Sequence, residues 1–153
     1  MGKKEAIMDI ESTEKGKVGE LYVFGKLIEK GAMPFLPVAD TRGVDAVVQK
    51  KDRTYVEIQV RATWPPQQAG YINVPDLVTR KNFFIVGLIY AKPLGVMDEK
   101  PEVWIIPSEI FEANTTERRQ LGLGCLGLGT TEHEQNLREK LADYCEAWHL
   151  LTG

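Results

Sequence analysis

Hydrophobic and polar residues alternate most clearly along the stretch YVEIQVRAT, from Tyr55 to Thr63. This alternation predicts a strand with two different faces. The apolar face is typical of a protein core and consists of Val56, Ile58 and Val60. The other face carries an acid, an amide and a guanidinium, in the order Glu57, Gln59 and Arg61. That second face is either a solvated sheet surface or part of a functional site.

A helix is predicted before this strand. Ser12 or Thr13 can cap it, and Gly31 follows its last residue, near Lys30. The apolar positions expected on one side of the helix are Val18, Leu21, Tyr22, Phe24, Gly25 and Ile28. Val23 and Leu27 lie off this side, so the helix is expected to be covered on more than one side. Gly16 and Gly19 lower its helix propensity by about 1 kcal/mol each, which indicates close approach of another backbone near the first turns.

Strand patterns dominate the middle of the chain. AMPFLPVAD predicts an edge strand, because its two prolines cannot donate ladder hydrogen bonds. GVDAVVQ and TYVEIQVRA, joined by KKDR, predict a hairpin. FFIVGLIYA is continuously apolar and predicts a central strand buried on both faces, with Phe84, Val86 and Leu88 facing one way. EVWIIP predicts a further strand, followed by a short helix that opens at Ser108.

The last part of the chain combines a glycine-rich stretch with a helical pattern. LGLGCLGLG predicts a loop anchored by leucines. Thr131 and Glu134 form a capping box that opens a final helix. The apolar face expected for this helix is Leu137, Leu141, Tyr144, Cys145 and Trp148. The order of elements predicts an α+β or mixed α/β fold and does not fit a strict βαβ repeat.

The composition is that of an ordinary globular domain. Hydrophobic residues make up 43% of the 153 residues and charged residues 27%, as in ordinary globular domains. The net charge of −3 generates no global field that attracts nucleic acid. The charged start and the lack of a long apolar run predict a cytoplasmic protein with no membrane partner. The two cysteines are expected to be reduced thiols.

Three familiar site types fit the sequence poorly. LGLGCLGLG lacks the lysine and the Ser or Thr of a phosphate-binding loop. The spacing of Cys125, His133, Cys145 and His149 matches no zinc finger or ribbon. Cys145 is better interpreted as a core residue than as a nucleophile beside histidine. The glycine-rich loop and both histidines are therefore expected to be structural.

The predicted hairpin is a better candidate for a site. Asp45 stands at the start of its first strand, and Glu57, Gln59 and Arg61 follow along the second. Carboxylate oxygens converging from neighbouring strands suit hard divalent cations. A metal ion held there could activate water and neutralise the charge of a phosphodiester. Solvated cross-strand pairing remains the alternative explanation of this pattern.

The order of these segments resembles the PD-(D/E)XK nuclease superfamily. The resemblance implies the restriction endonuclease-like fold, an α/β (mixed α+β) domain with a central mixed sheet flanked by helices. The resemblance runs through KGKVGELYVFGKLIEKG, GVDAVV, YVEIQVRAT, NFFIVGLIYA and EVWIIPSEIF, roughly residues 14 to 113. It is similar to the branch with a Gly-Glu pair at the start of its helix and Gln-Val-Lys as its third motif. The resemblance implies phosphodiester cleavage with Mg²⁺ or Mn²⁺, no organic cofactor, and DNA or RNA as partner.

The resemblance also assigns roles to residues. Glu20 matches the acid on the helix, and Asp45 matches the first metal-binding acid. Gln59 matches the second metal position, so Glu20, Asp45 and Gln59 are expected to converge on one ion. Arg61 occupies the place of the catalytic lysine. The expected catalytic group is completed by Glu57, which could supply the missing charge in a shifted site.

Arginine in place of lysine changes the expected chemistry. A lysine can assist formation of hydroxide, whereas arginine stays protonated and can clamp phosphate through its fork. Trp64, Arg80 and Lys81, together with Tyr71, are expected to form an aromatic and basic rim that contacts nucleic acid. Two alternatives stay open: a catalytically inactive nuclease-fold module for nucleic-acid or protein binding, and an unrelated small-molecule-binding protein. A homo-oligomer is also compatible with the sequence.

Residues 1–153 are expected to form one domain with four parts. These parts are a polar lead-in at residues 1–11, a nuclease-like core at 12–113, a glycine-rich loop at 114–130 and a C-terminal helix at 131–150.

Overall fold

The structure is a computed structural model that describes residues 12–39, 43–67, 69–95 and 100–153. The predicted polar lead-in lies outside the described residues. The strands are β1 (Met33–Phe35), β2 (Ala46–Gln49), β3 (Tyr55–Thr63), β4 (Tyr71–Asn73), β5 (Phe83–Ile89), β6 (Glu102–Pro107) and β7 (Gln120–Gly122). The α-helices are α1 (Ser12–Glu29), α2 (Ser108–Ala113), α3 (Glu132–Lys140) and α4 (His149–Thr152).

The centre of the fold is a five-stranded mixed sheet with the strand order β1-β2-β3-β5-β6. Strands β3 and β5 pair in parallel, and the other neighbours pair antiparallel. This arrangement confirms the predicted mixed sheet with flanking helices. It also confirms the hairpin from β2 to β3, the edge position of β1 and the central position of β5.

Strand β5 is buried on both faces, as its sequence predicts. Val86 and Leu88 belong to the core on the α1 side of the sheet, with Phe84 packed against it. Phe83, Ile85 and Ile89 belong to a second core on the opposite side. That second core contains residues of α2 and of the small antiparallel sheet formed by β4 and β7. The central sheet therefore separates two apolar layers.

The apolar side predicted for α1 packs only in part. Phe24 of that side is buried, whereas Val18, Leu21 and Ile28 are exposed. Val23 and Leu27, which lie off the predicted side, are fully buried against the sheet. Gly19 is the third member of the buried side, at helical spacing from Val23 and Leu27.

Gly19 permits the close approach between α1 and the sheet. A Cβ atom at this position would lie 2.9 Å from the Cβ of Ala62 on β3 and 3.4 Å from Cδ1 of Leu88 on β5. A larger residue would therefore push the helix away from the sheet. The expected close approach in the first turns of α1 is found at this glycine.

The predicted helix over residues 131–150 is interrupted. Helix α3 begins with the expected capping box of Thr131 and Glu134 but ends at Lys140. Cys145 then adopts an extended conformation and forms a bridge with Trp104 of β6, and the Glu146 amide donates to the Val103 carbonyl at 2.8 Å. The helical pattern fails here because these backbone groups pair with the sheet edge instead.

The glycine-rich segment over residues 114–130 is more ordered than a simple loop. It contains β7, which pairs with β4, and a 3₁₀ turn at Leu126–Leu128. Leu121 and Leu123 anchor it in the second core, as predicted for its leucines, whereas Leu126 and Leu128 are exposed. Among the described residues, no helix combines the length and the apolar character of a membrane span.

Candidate functional site

The candidate site lies beside the second half of β3, which extends beyond the end of its neighbour β2. Strand β2 pairs with β3 only as far as Ala46 opposite Ile58. Strand β3 continues to Thr63, and among the described residues this second half has no strand partner on the β2 side. The difference in length between a four-residue and a nine-residue strand opens one edge of the sheet. Open edges leave backbone donors and acceptors to be satisfied by other groups.

Asp45 satisfies one of these backbone donors. It directly precedes β2, and its own amide donates to the Ile58 carbonyl at 2.9 Å. Its carboxylate oxygen Oδ2 accepts a hydrogen bond from the Val60 amide at 2.6 Å. The acid predicted from the first strand of the hairpin is therefore fixed beside the second strand, at the open edge.

Gln59 and Arg61 contact each other on the next positions of β3. Gln59 is buried, and its side-chain amide is satisfied when its oxygen accepts from Arg61 Nη2 at 2.6 Å and its nitrogen donates to the Gly43 carbonyl at 3.2 Å. Arg61 also donates from Nε to the Asn73 carbonyl at 3.1 Å and from Nη1 to the Val60 carbonyl at 3.2 Å. Neutral oxygen atoms thus hold the guanidinium in place.

The absence of a side chain at Gly87 allows this arrangement. Gly87 lies opposite Arg61 in the register of β3 and β5, and a Cβ atom there would collide with Ile72 of β4. Because β4 can cross closely at this point, the carbonyl of its neighbouring residue Asn73 comes within reach of Arg61. A glycine in the middle of a strand commonly marks such a close approach.

A cavity of about 700 Å³ extends along the open edge of β3. Helix α1 contributes Lys15, Gly16 and Glu20 to its lining, and β3 contributes Arg61. The Glu20 side chain is 18% exposed and forms an ion pair with Lys17 at 3.1 Å. Glu20 therefore lies on the side of α1 that faces the candidate site, as the resemblance requires of the helix acid.

Sequence reasoning missed two lining residues of this cavity, Lys15 and Gln67. Lys15 lies in the first turn of α1, and Gln67 in the loop after β3. Neither residue belongs to a recognisable motif. Their positions depend on how the helix and the loop pack against β3, so no local sequence signal could have identified them.

Glu57 does not contact Arg61 in the same way as Gln59 does, because it pairs with Arg80 instead. Its Oε1 accepts from Arg80 Nε at 2.7 Å and lies 2.5 Å from Arg80 Nη2. The Arg80 guanidinium also stacks over the Phe83 ring, 4.1 Å from its centroid. Glu57, Arg80 and Lys81 line a different, smaller depression of about 260 Å³.

The expected aromatic and basic rim is not one surface. Trp64 lines the cavity at the open edge and stacks on Tyr90, with ring centroids 4.7 Å apart. Tyr71 instead donates its hydroxyl to Glu134 Oε2 at 2.6 Å. This hydrogen bond raises the pKa of Tyr71 and lowers the pKa of Glu134. Trp64 therefore remains beside the candidate site, whereas Tyr71 belongs to the contact with α3.

The oxygen donors at the site suit a hard divalent cation in kind. They are the carboxylates of Glu20 and Asp45 and the amide oxygen of Gln59, all types that magnesium accepts. In the described parts of the chain, no three His, Cys, Asp or Glu side chains are grouped as metal ligands. The set is two acids and one amide, and their convergence on one ion stays a prediction.

No family model matches this sequence, and no curated protein matches it. The structure is similar to the solved structure of a bacterial homing endonuclease, I-Ssp6803I, with a TM-score of 0.61. The similarity covers 92% of this chain and 91% of that chain, at 18% sequence identity. The mixed α+β fold of this protein is therefore one that a nuclease also has.

Proposed function

We propose that this protein binds nucleic acid at the open edge of β3, with Arg61 as a phosphate contact. The observation that carries the proposal is that the charge of the Arg61 guanidinium is not balanced by a described acid. The guanidinium lines the cavity, and its hydrogen-bond partners are uncharged oxygen atoms. In the described part of the chain no carboxylate forms an ion pair with it. Its positive charge is therefore available to an anion from outside.

The geometry of arginine favours phosphate as that anion. A guanidinium has five N–H groups. Three of them are used by Asn73, Val60 and Gln59 among the described residues, which leaves two to donate to a ligand. A planar fork held in one orientation suits the bidentate recognition of phosphate oxygens.

The order of site residues supports assignment to the PD-(D/E)XK superfamily. Glu20 on α1, Asp45 before β2, and Gln59 with Arg61 on β3 follow the order of the family motifs. The similar structure is that of an endonuclease, which makes DNA the first partner to test. RNA shares the same phosphate chemistry and is the second.

Metal-dependent phosphodiester hydrolysis is the second candidate function. What supports it is that Glu20 and Arg61 line the same cavity. Glu20, Asp45 and Gln59 would hold Mg²⁺ or Mn²⁺, which when bound would neutralise charge on the phosphodiester and activate water. A guanidinium offers hydrogen-bond donors and no acceptor, so the part of Arg61 in hydrolysis would be to hold phosphate. Arginine in place of the family's catalytic lysine should therefore impair phosphate binding less than hydrolysis.

The binding proposal is tested by fluorescence anisotropy with labelled duplex DNA, single-stranded DNA, branched DNA and RNA. We expect affinity to fall as salt rises, because phosphate contacts release counterions. Arg61→Ala should weaken binding by about 1–3 kcal/mol. The matched control is Arg118→Ala, which removes one arginine from the exposed turn before β7. A protein that binds none of these nucleic acids at low salt would instead support a small-molecule function.

The hydrolysis candidate has its own test. Isothermal titration with Mn²⁺ measures whether the site binds the metal, independently of any cleavage. Asp45→Asn should abolish that binding if Asp45 is a ligand. Metal binding unchanged by this substitution would contradict the assignment of the metal site.

A further inference from the structure

Two further depressions lead away from the candidate site along α1. The cavity at the open edge of β3 adjoins a second depression of about 570 Å³, and Trp64 lines both. The second depression adjoins a third of about 390 Å³, with Tyr22 and Lys100 in common. We call these three adjoining depressions the α1 groove.

Aromatic side chains recur along the α1 groove. In order from the candidate site they are Trp64, Tyr90 and Tyr22, which are half-buried, and Trp148, which is buried, at 7% exposure. Trp64 and Tyr90 are stacked with an interplanar angle of 14°, so they form a flat double layer. Burial raises the pKa of Tyr90 to about 12, which keeps its hydroxyl uncharged at physiological pH.

Cations surround these aromatic rings. The described residues that line the three depressions include six basic side chains and two acids, Glu20 and Glu146. The basic side chains are Lys15, Lys26, Lys30, Lys92, Lys100 and Arg61. Lys26 also forms an ion pair with Glu29 at 3.5 Å, and counting this acid leaves a local excess of three positive charges among the described residues, against a net charge of −3 for the whole chain. This contrast indicates a surface suited to a negatively charged partner.

Two of the lysines lie directly against aromatic rings. Lys26 Nζ is 5.8 Å from the centroid of Tyr22, and Lys30 Nζ is 5.8 Å from the centroid of Trp148. The groove therefore alternates flat apolar faces with positive charges. Single-stranded nucleic acid has the matching alternation, because each nucleotide carries a flat base and a phosphate.

We infer that the α1 groove binds single-stranded nucleic acid and directs it toward Arg61. A duplex cannot use the aromatic rings, because its bases already stack on one another inside the helix, whereas unpaired bases stack on aromatic side chains. The inference deepens the proposed function by naming an unpaired strand as the substrate class. The inference depends on the proposed function only where the α1 groove reaches Arg61.

The test compares the binding of labelled oligothymidine, oligouridine and a blunt DNA duplex by fluorescence anisotropy. We expect both single strands to bind more tightly than the duplex, and their ratio distinguishes a DNA ligand from an RNA ligand. Trp64→Leu should lower single-strand affinity by about 5- to 150-fold, the effect of removing one stacked base. Duplex affinity should change little.

A second variant avoids any question of folding. Lys92 and Lys100 are exposed, so Lys92→Met made with Lys100→Met should leave the melting temperature unchanged. It should make the salt dependence of single-strand binding shallower by about 0.7 for each phosphate that the protein no longer neutralises. Lys140→Met, at the end of α3, is the control for removal of a surface lysine.

The outcomes separate the two proposals. Single-strand binding that depends on Trp64 and the two lysines but not on Arg61 supports the groove and refutes the phosphate contact. Binding that depends on Arg61 but is equal or tighter for duplex, with no effect of the groove variants, refutes the groove alone. If no nucleic acid binds, both proposals fail, and the groove belongs to another kind of partner.

Discussion

The two ends of strand β3 hold their arginines in opposite ways. At the first end, Arg80 meets the carboxylate of Glu57 and stacks on Phe83. At the second end, Arg61 meets the carbonyl oxygens of Asn73 and Val60 and the amide of Gln59. Both guanidiniums are well fixed, yet only the first has its charge balanced by a described acid.

This difference bears on which of the two arginines could attract a ligand. A charge that is paired within the protein has little left to gain from a ligand, and the ligand would have to displace the acid. A charge that is oriented by neutral dipoles keeps its attraction for an external anion and needs no rearrangement. The candidate site is therefore at the second end of β3, although both ends carry the same residue types.

The largest effect is expected when the second end receives the groups that the PD-(D/E)XK family uses. Arg61→Lys made with Gln59→Glu would supply an amine and a carboxylate on the same face of β3. A positioned acid–base group contributes about 10²–10⁴-fold to a rate, so metal-dependent cleavage should rise by a factor in that range. A gel assay with a supercoiled plasmid and Mn²⁺ measures it.

Asp45→Asn in the same double-mutant background is the control for contamination. The Asp45 carboxylate is fixed beside β3, so its loss should remove the cleavage that the two other substitutions restored. If the triple mutant cleaves as fast as the double mutant, the activity does not come from this site.

The next effect tests how Arg61 is held. Gly87→Ala should place a methyl group against Ile72 and displace β4, which removes the Asn73 carbonyl from Arg61. Overpacking of this kind typically costs about 1–3 kcal/mol of unfolding free energy. Urea denaturation measures that decrease, and nucleic-acid affinity should fall as well.

Gly25→Ala is the matched glycine substitution. Gly25 is exposed on α1, and no atom lies within 4 Å of the position of an added Cβ. Alanine there should stabilise the helix by about 1 kcal/mol and leave affinity unchanged. Equal effects of the two substitutions would show that the approach of β4 at Gly87 has no special role.

A smaller effect is expected from the first end of β3. Arg80→Ala removes an ion pair whose side chains are 37% and 39% exposed, together with the cation–π interaction with Phe83. Partly exposed pairs and cation–π interactions each contribute about 1 kcal/mol or less, so unfolding free energy should fall by about 1 kcal/mol. Arg80→Ala should lower the affinity for nucleic acid less than Arg61→Ala does. The reverse order in the anisotropy titration would overturn the comparison.

The smallest effect concerns the acid of that pair. Glu57→Gln removes the charge that balances Arg80 and should turn this end of β3 into a weak phosphate contact. Affinity for nucleic acid at low salt should rise by about fivefold at most, since an exposed charge contributes less than about 1 kcal/mol. The rise should disappear at high salt. A decrease in affinity would instead support the expectation that Glu57 belongs to a shifted site.

Most of the sheet could be predicted because its signals are local. The alternation in β3, the apolar run in β5 and the turn between β2 and β3 each depend on residues within one segment. The packing side of α1 could not be predicted in this way. Its buried side includes Gly19, and a glycine contributes nothing to an apolar pattern even where contact with the sheet requires it.

The candidate site was predictable to the extent that it follows motif order. Spacing and resemblance identified Asp45, Gln59 and Arg61, and the structure places them together at one edge. The pairing of Glu57 with Arg80 joins residues 23 positions apart, and it is made by the loop before β5 rather than by the strand. The local sequence pattern contains no signal for such long-range contacts. The difference between the two ends of β3 could therefore be seen only in the folded structure.

The parallel pairing of β3 with β5 has a consequence for the order of folding. The hairpin of β2 and β3 joins neighbouring segments, so it can form as soon as its turn closes. The parallel pair cannot form until the whole crossing segment between Thr63 and Phe83 has been brought back to the sheet. The contacts of Arg61 with Asn73 depend on that later step, and contacts between distant segments form slowly. We therefore expect the Arg61 end of β3 to be assembled after the hairpin of β2 and β3.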